Sequence, residues 1–470
     1  MSFITSGTSV ITEPINAPVD LQGPTTYYIG NPNVLTITNF DSFTTYTVSS
    51  PDGTIVQSGT SVTYTPNVSG STTFIINGRT VNVTVSPVDN YLNYQLNVAG
   101  FFSLDSSNNI YFSANNRMLG KYNQYGGFVA GKNLSTLIPG TRPVIDSGGN
   151  IYIFGNVSSR GHIAKYNSSL VLQFQQRYGS GNSVVGAAVD SSDNVITVYD
   201  SGSTVTWTVK TDSTGAKLWA RQLSIATQAN PSGVAVDSTS SVIVCGTATT
   251  GTVNGFIVKY NSAGSLLWQR VTTTQLFNNA VCVDSSNNIY VAGNDGSGNL
   301  YIYSITSGGA IRWSRVVTGT SGTGLSNQFT SIAVDAAGFV YAIGLDAVAG
   351  GGTVLVRLVS STGATSWTRK IDNSNPNGSI ACAGNTDFVI SKSNSSVLSY
   401  ADFPSDGTKT GTYVLGSNTI IYSNAYSTSA GGLALTTGTL TDAAETSTFA
   451  ASALTDQTLG AAVSTIFLVI

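Results

Sequence analysis

The stretch Val-Asp-Ser-Ser-Asn-Asn-Ile-Tyr-Val at residues 283–291 decides the fold, because related copies of it recur along the middle of the chain. One copy reads Leu-Asp-Ser-Ser-Asn-Asn-Ile-Tyr-Phe at 104–112, and another reads Val-Asp-Ala-Ala-Gly-Phe-Val-Tyr-Ala at 334–342. In each copy an apolar run ends at an aspartate, and a polar turn leads into a second apolar run. The repeated aspartates are Asp105, Asp146, Asp190, Asp237, Asp284 and Asp335, with gaps of 41, 44, 47, 47 and 51 residues.

A period near 45 residues suits four short strands with their turns, which is one blade of a β-propeller. A degenerate seventh copy lies at 382–390, where Ala383 replaces the aspartate. The segment Leu92–Leu96 is similar to an outer strand, and we expect it to close the ring by pairing with the seventh unit. The sequence therefore predicts an all-β chain with a seven-bladed propeller over residues 91–404.

A tryptophan marks the start of the outer strand in several units. The positions are Trp219, Trp268, Trp313 and Trp367, and Phe174 takes the same place in the second unit. Burying such a ring removes about 150–250 Å² from water. We expect these residues to pack neighbouring blades together.

The repeats resemble the bacterial β-propeller repeat family, of the Asp-x-x-Gly-Asn-x-Tyr-Val-x-Gly type. The resemblance covers about residues 100–400 and implies the fold, whereas propellers host many functions. The segments 211–219 and 360–367 also resemble the tryptophan-docking motif of quinoprotein propellers, which implies that the tryptophan packs between blades. The quinone-binding residues and calcium ligands of that family are not identifiable in this sequence.

Composition restricts the function. Only 9% of the 470 residues are charged and the net charge is −3, without a basic patch, so we expect no nucleic-acid partner. No run reaches the ~18 apolar residues of a membrane helix, and we expect no membrane insertion. The first residues, Met-Ser-Phe-Ile-Thr-Ser-Gly, contain neither a positive segment nor an apolar stretch, so we expect no signal peptide.

The region before the propeller reads as a separate domain. Residues 24–88 alternate short β-prone runs with turns, and Asn77-Gly78 is a hairpin signal between two of them. Val81, Val83 and Val85 alternate with polar residues, which indicates one buried face. We predict an immunoglobulin-like β-sandwich here, preceded by an extended arm at 1–23.

The region after the propeller, residues 405–470, leaves helix and strand open. Leu433, Leu440, Leu454 and Leu468 share a seven-residue phase, which could form a helical seam. The threonine content and the apolar end at 466–470 favour strands, and we predict a β-rich assembly region.

The repeated aspartates have two interpretations. Asp-Ser-Ser-Asn-Asn is loosely similar to a calcium loop, but the glutamate of such loops is missing at the twelfth position. The alternative, which we favour, is that each aspartate accepts backbone N–H groups within its turn. His162 is the only histidine and is expected at an exposed loop or strand position, so we predict no metal, no cofactor and no catalytic residues.

The three-part layout resembles virion-associated propeller proteins of tailed phages, in which Thr-Leu-Thr-Asp-Ala-type repeats also follow the propeller. Here the match rests on 430–456. It implies a non-enzymatic tail, fibre or capsid-surface component, located in the virion and assembled in the host cytoplasm. We expect a homo-oligomer that contacts other virion proteins through 1–88 and 405–470, with a host glycan as a candidate ligand of the propeller loops. The alternatives are a propeller enzyme, quinoprotein-like or glycan-active, and an exported bacterial surface adhesin.

Overall fold

The computed structural model describes residues 19–468 apart from 23–26, 29–32, 43–44, 68–69, 87–91, 97–99, 115–116, 124–127, 135–136, 158–159, 179–182, 203, 225–226, 250, 319–326, 347–351, 373–379, 384–386, 394–397, 405–410, 416–417, 424–426, 431, 438–440, 445–448, 452–456 and 459–464. All regular elements within the described residues are β-strands, so the all-β prediction is confirmed. In these residues we find no helical segment that could span a bilayer. The chain divides into two compact units, 1–89 and 90–470.

The first unit is a sandwich of two four-stranded sheets. Its strands are β1 Leu21–Gln22, β2 Tyr27–Tyr28, β3 Asn33–Ile37, β4 Val48–Ser49, β5 Gly53–Ser58, β6 Ser61–Pro66, β7 Gly70–Ile76 and β8 Arg79–Ser86. One sheet has the order β1-β3-β6-β5 and the other β2-β8-β7-β4, with β2 and β8 parallel. The inner faces bury Tyr64 from one sheet against Phe74 from the other, with ring centroids 4.9 Å apart. The alternation of apolar and polar residues along β6 and β8 produces this single core.

The sandwich begins earlier in the chain than the sequence predicted. Residues 19–22 were assigned to the extended arm, but Val19 is buried in the sandwich core and β1 pairs with β3. The physical reason is that β3 offers an edge that a two-residue strand can extend. Residues 1–18 of the predicted arm lie outside the described residues.

The second unit contains seven antiparallel sheets among its described strands. Their principal strands, in chain order, are β9 Leu92–Leu96, β10 Gly100–Leu104, β11 Ile110–Ala114, β12 Met118–Tyr122, β13 Phe128–Asn133, β14 Ile138–Pro139, β15 Val144–Ile145, β16 Ile151–Val157, β17 Arg160–Tyr166, β18 Leu172–Tyr178, β19 Ser183–Val189, β20 Val195–Asp200, β21 Val205–Thr211, β22 Lys217–Ser224, β23 Gln228–Val236, β24 Val242–Thr249, β25 Val253–Tyr260, β26 Leu266–Gln275, β27 Phe277–Val283, β28 Ile289–Asn294, β29 Leu300–Ile305, β30 Ile311–Thr318, β31 Gln328–Val334, β32 Phe339–Asp346, β33 Gly352–Val359, β34 Thr365–Asp372, β35 Ile380–Ala383, β36 Asp387–Ser393 and β37 Leu398–Pro404.

We number these sheets by their place in the chain. Sheet 1 is β10–β13, sheet 2 is β14–β18, sheet 3 is β19–β22, sheet 4 is β23–β26, sheet 5 is β27–β30 and sheet 6 is β31–β34. Sheet 7 consists of β35, β36 and β37 with β9 beside β37. The pairing of β9 with β37, in which Leu96 lies opposite Leu398, is the one that the sequence predicted.

The apolar cores lie between neighbouring sheets. One core joins sheets 3 and 4, and another joins sheets 5 and 6. As a result, second strands such as β24 are buried on both faces, which explains their continuous apolar runs. The first strands of successive sheets also contact one another, and β35 of sheet 7 contacts β10 of sheet 1.

The region after 410 also consists of strands, in agreement with the β-rich prediction. They are β38 Gly411–Leu415, β39 Asn418–Ser423, β40 Ser427–Ala430, β41 Leu435–Thr437, β42 Thr441–Ala444, β43 Phe449–Ala451, β44 Gln457–Thr458 and β45 Thr465–Leu468. We call residues 411–468 the tail. Its strands β39 to β45 pair with the outer strands of the seven sheets, and β38 pairs with β39, so the alternative of a helical seam is wrong for the strands described.

Candidate functional site

The carboxylate of each repeated aspartate holds the turn that follows it. In sheet 5, Asp284 Oδ1 accepts the N–H groups of Ser286 at 2.9 Å and of Asn288 at 2.8 Å. The Tyr290 hydroxyl donates to Asp284 Oδ2 at 2.7 Å. The same bond from the backbone N–H four residues on to Oδ1 forms at Asp105, Asp146, Asp190, Asp237 and Asp335.

The turns require a left-handed residue at their fourth position. Asn287 has φ 64° and Gly338 has φ 85°, and the equivalent residues of the other turns are Asn108, Gly149, Asp193 and Ser240. Asn, Asp and Gly tolerate this conformation better than most residues, which explains the polar composition of the repeats.

A buried lysine links the aspartate to the next sheet in the middle of the unit. Lys210 Nζ of β21 lies 2.7 Å from Asp190 Oδ2, and both side chains are buried. The same ammonium group donates to the carbonyl of Ser262, in the β25–β26 turn of sheet 4, at 3.2 Å. Lys165 with Asp146 and Lys259 with Asp237 repeat the arrangement in sheets 2 and 4.

Arginine replaces this lysine in sheets 5 and 6. Arg312 donates to the Tyr290 hydroxyl at 3.1 Å and to the carbonyl of Ser360 at 3.3 Å. Arg357 Nε donates to the Tyr341 hydroxyl at 2.8 Å. A Lys or Arg side chain therefore lies next to the aspartate turn in each of sheets 2–6. The residue is Lys in sheets 2–4 and Arg in sheets 5 and 6, and the strand that carries it differs.

The hydrogen bonds decide the protonation of these carboxylates. Burial alone would raise the pKa of Asp190, but the bonds from Lys210, Asn194 and Ser192 outweigh it and lower the pKa below its usual value. The pKa of Asp237 is lowered against the same burial effect by Lys259, Thr239 and Ser241. Burial, reinforced by the nearby carboxylate, raises the pKa of Tyr290. These groups stay in fixed charge states near neutral pH.

Tryptophans join sheets 3, 4 and 5 to a turn of the following sheet. Trp219 Nε1 donates to the carbonyl of Ser262 at 3.0 Å, and its ring lies against Gly264. Trp268 and Trp313 donate in the same way to Ser307 and Ser360, each at 2.9 Å. Trp367 is buried in sheet 6, where its ring meets Tyr341 at 6.2 Å between centroids.

Sequence reasoning missed the cations that complete these contacts. Each of the four tryptophans named above is followed two positions later by an arginine, and Arg315 Nε donates to the carbonyl of Gly363 at 2.7 Å. Arg270 reaches Gly309 in the same way at 3.0 Å, and Arg221 reaches Gly264. The recurrent Trp-x-Arg spacing and the Lys that precedes Tyr166 and Tyr260 were the available signals.

Further titratable residues of the described chain do not gather into a metal site. Within the described ranges, no group of three or more His, Cys, Asp or Glu side chains could hold an ion. His162 lies in β17 and is buried rather than exposed, because neighbouring sheets cover both faces of the strand. Its Nδ1 lies 2.9 Å from the carbonyl oxygen of Arg160, and burial lowers its pKa.

A polar depression lies at the opposite end of sheet 4 from the aspartate turn. Its volume is about 340 Å³ and it is lined by Gly251, Thr252, Val253, Asn254, Thr273 and Gln275. The Thr252 hydroxyl donates to Asn254 Oδ1 at 2.7 Å, and the Asn254 amide donates to the carbonyl of Thr272. The lining is uncharged, and hydrogen bonds hold the side chains of Thr252 and Asn254, which suits a neutral hydrogen-bonding ligand.

No protein-family model matches the chain, and no curated protein matches it. Solved structures similar to it include β-propeller proteins. A virginiamycin B lyase from Staphylococcus aureus is 11% identical at a TM-score of 0.46, covering 67% of this chain and 99% of that chain. The WD40 β-propeller domain of Doa1 is 12% identical at 0.47, covering 67% and 97%, and the Dos1 propeller is 11% identical at 0.44, covering 82% and 94%.

Removing one partner of a buried ion pair should reveal its structural role. We expect Lys210→Met to lower the free energy of unfolding by about 3–5 kcal/mol at pH 7, because it leaves the Asp190 carboxylate buried without its cation. The double variant Asp190→Asn/Lys210→Met should recover much of the loss, since it leaves no unpaired charge. Chemical denaturation measures both. A double variant less stable than Lys210→Met would contradict this account.

The pH dependence of stability should follow the lowered pKa values. A carboxylate whose pKa is lower in the folded state stabilises the fold above its unfolded pKa of about 3.9. That contribution is lost as pH falls through the folded-state pKa. We expect the free energy of unfolding of the parent to fall more steeply below about pH 4 than that of Asp190→Asn/Lys210→Met. If the free energy of unfolding of the two proteins fell in parallel with pH in acid denaturation series, the assignment of a lowered pKa to Asp190 would be contradicted.

The glycine beneath Trp219 provides a matched test of sheet docking. Gly264 has φ +83°, and a Cβ there would lie 2.7 Å from the Trp219 ring. Gly251 has φ +103°, and a Cβ there would meet no described atom within 4 Å. We expect Gly264→Ala to cost about 1–3 kcal/mol more than Gly251→Ala in thermal or chemical unfolding, because only the first adds overpacking to backbone strain. Equal losses would show that the tryptophan contact contributes little.

Proposed function

We propose that the chain is a non-enzymatic structural protein whose second unit is a closed seven-bladed β-propeller. The contact of β35 with both β31 and β10 supports closure, because it places sheet 7 between sheets 6 and 1. Shared strands support it too, since β9 precedes sheet 1 in the chain but pairs within sheet 7. A closed ring leaves only short, protected strand edges.

The structural role is supported by one observation: the repeated charged groups form hydrogen bonds and ion pairs within the fold itself. The carboxylates of Asp190 and Asp237 are occupied by their own turns and by lysines that bridge to the next sheet. The indole groups of Trp219 and Trp268 donate to the same turns of the following sheet as these lysines. Residues of this kind stabilise a scaffold, and in this chain they recur at the period of the sheets.

We place this scaffold in the virion of a bacteriophage, as a tail, fibre or capsid-surface component. The low charge and the resemblance of residues 430–456 to the repeats of virion-associated propeller proteins support this assignment. The first unit, which we assign to the immunoglobulin-like class, would attach the protein to its neighbours. Since the described tail strands already pair with the sheets of their own chain, attachment falls mainly to residues 1–88.

Purified particles test the virion assignment. We expect antibodies against the folded chain to label particles in electron microscopy, and mass spectrometry of the same particles to detect the chain. Particles from a mutant that lacks the gene serve as the control and should lose both signals. Absence of the chain from purified parent particles would refute the assignment.

We further propose that the polar depression at residues 251–275 binds a neutral glycan of the host surface. Thr252, Thr273 and Gln275 line it without a charged side chain, and their hydroxyl and amide oxygens can accept hydrogen bonds. Sugars present matching donors and acceptors, and Gln275 is exposed to meet them.

A glycan array followed by titration of the best ligand tests the depression. We expect Thr252→Ala/Gln275→Ala to weaken binding at least about tenfold, because two converging hydrogen bonds are lost. The exposed neighbour Thr274, which does not line the depression, provides the control Thr274→Ala. If the double variant binds as tightly as the control, the ligand does not occupy this depression.

A further inference from the structure

The tail adds strands to every sheet of the second unit, from sheet 6 down to sheet 1 and then to sheet 7. The hairpin β38-β39 adds to sheet 6, and the next strands, β40 to β44, add to sheets 5, 4, 3, 2 and 1 in turn. The last strand, β45, adds to β9 in sheet 7. Each addition is antiparallel and places a tail strand outside the outer strand of its sheet.

Together with residues 405–410 before it, the tail therefore crosses the boundary between every pair of neighbouring sheets. Residues 405–410 join β37 of sheet 7 to β38 on sheet 6, and the later connections cross the other boundaries as far as sheets 1 and 7. The connections are short: β39 and β40 are separated by 424–426, and β41 and β42 by 438–440. Three residues span at most about 14 Å between their flanking strands, so neighbouring sheets have little room to separate while both tail strands stay paired.

Each tail strand is too short to bind strongly alone. β41 pairs with β26 over three residues, and β42 pairs with β22 over four. Their connection in one chain changes this, because docking of one strand presents the next at an effective concentration in the millimolar range. The strands should therefore hold as a set.

We propose that the tail is a belt that locks the sheets of the second unit together, so that release of tail strands limits the rate of unfolding. The inference rests on the closed ring proposed above. In this proposal the strands that cover the outer edges of the sheets come from the tail of the same molecule. It also means that the outer strands are not free to pair with a second copy while the belt is in place.

Sheet 4 provides a matched pair of variants. The N–H of Thr273 donates to the carbonyl of Ala434 at 3.1 Å. In an antiparallel ladder the bonded positions alternate, so the N–H of Thr436, opposite Val271, points toward β26. The N–H of the adjacent Thr437 points away from the sheet. Proline at 436 removes an inter-strand bond, whereas proline at 437 removes none.

We expect Thr436→Pro to accelerate unfolding of the full chain in guanidinium by about tenfold, the rate change that corresponds to one lost inter-strand hydrogen bond. Thr437→Pro should unfold within about twofold of the parent, since an edge strand tolerates proline where its N–H faces outward. Stopped-flow or manual-mixing kinetics measure both rates. Equal unfolding rates for the two variants would overturn the proposal that release of tail strands limits unfolding.

A disulfide tests the belt without weakening it. Gln222 and Ala443 lie opposite each other in β22 and β42, and Gln222→Cys/Ala443→Cys should form a disulfide within one molecule. We expect an oxidised monomer on a non-reducing gel and unfolding at least about tenfold slower than after reduction. The two single-cysteine variants control for the native cysteines.

The outcomes of this test separate the proposals. A disulfide-linked dimer would assign the tail strand to a second copy and overturn the belt. Failure to form the bond, or an oxidised monomer that unfolds as fast as the reduced one, would overturn it as well. None of these results bears on whether the chain is present in phage particles, and absence from particles leaves the belt intact.

Discussion

The second unit depends on one recurrent interaction, in which sheets 2 to 5 each dock onto a turn of the following sheet. In sheets 3 and 4 the carbonyl of one turn residue, Ser262, accepts both the Lys210 ammonium group and the Trp219 indole. The lysine is in turn paired with Asp190, so a single cation ties the first turn of one sheet to the turn between the third and fourth strands of its neighbour. Burying such a pair costs desolvation free energy, and the added hydrogen bonds are what make it tolerable. The interaction fixes the relative position of the sheets more than it adds to stability.

This arrangement explains the unusual composition. A sheet packed on both sides exposes only its ends and its outer edge, so its second strand needs apolar residues on both faces. The exposed ends are turns, which favour Asn, Asp, Ser and Gly. Few positions remain where a long charged side chain is useful, and many of those are the buried Lys and Arg described above. The burial of both faces of these sheets contributes to the charged fraction of 9%.

The parts of this structure that the sequence could predict are those in which cause and effect lie close in the chain. The aspartate turns were readable because Asp284 bonds to residues two and four positions away. The strands on either side follow from apolar runs, and Leu92–Leu96 was recognisable as a displaced outer strand. Lys210 and Arg315 were not recognised as site residues, because their partners lie 52 and 48 residues away and no local pattern specifies them.

The tail shows the same limit more strongly. Its strands carry two to six residues each, and no hydrophobic alternation of that length fixes a register. The seven-residue phase of its leucines suggested a helical seam, yet the strands β41 to β45 begin at 435, 441, 449, 457 and 465, six to eight residues apart. That spacing is one strand plus one short connection, repeated once per sheet. A segment whose period matches the step from one outer edge to the next needs little information beyond its spacing to dock, because each paired strand delivers the following one to its place.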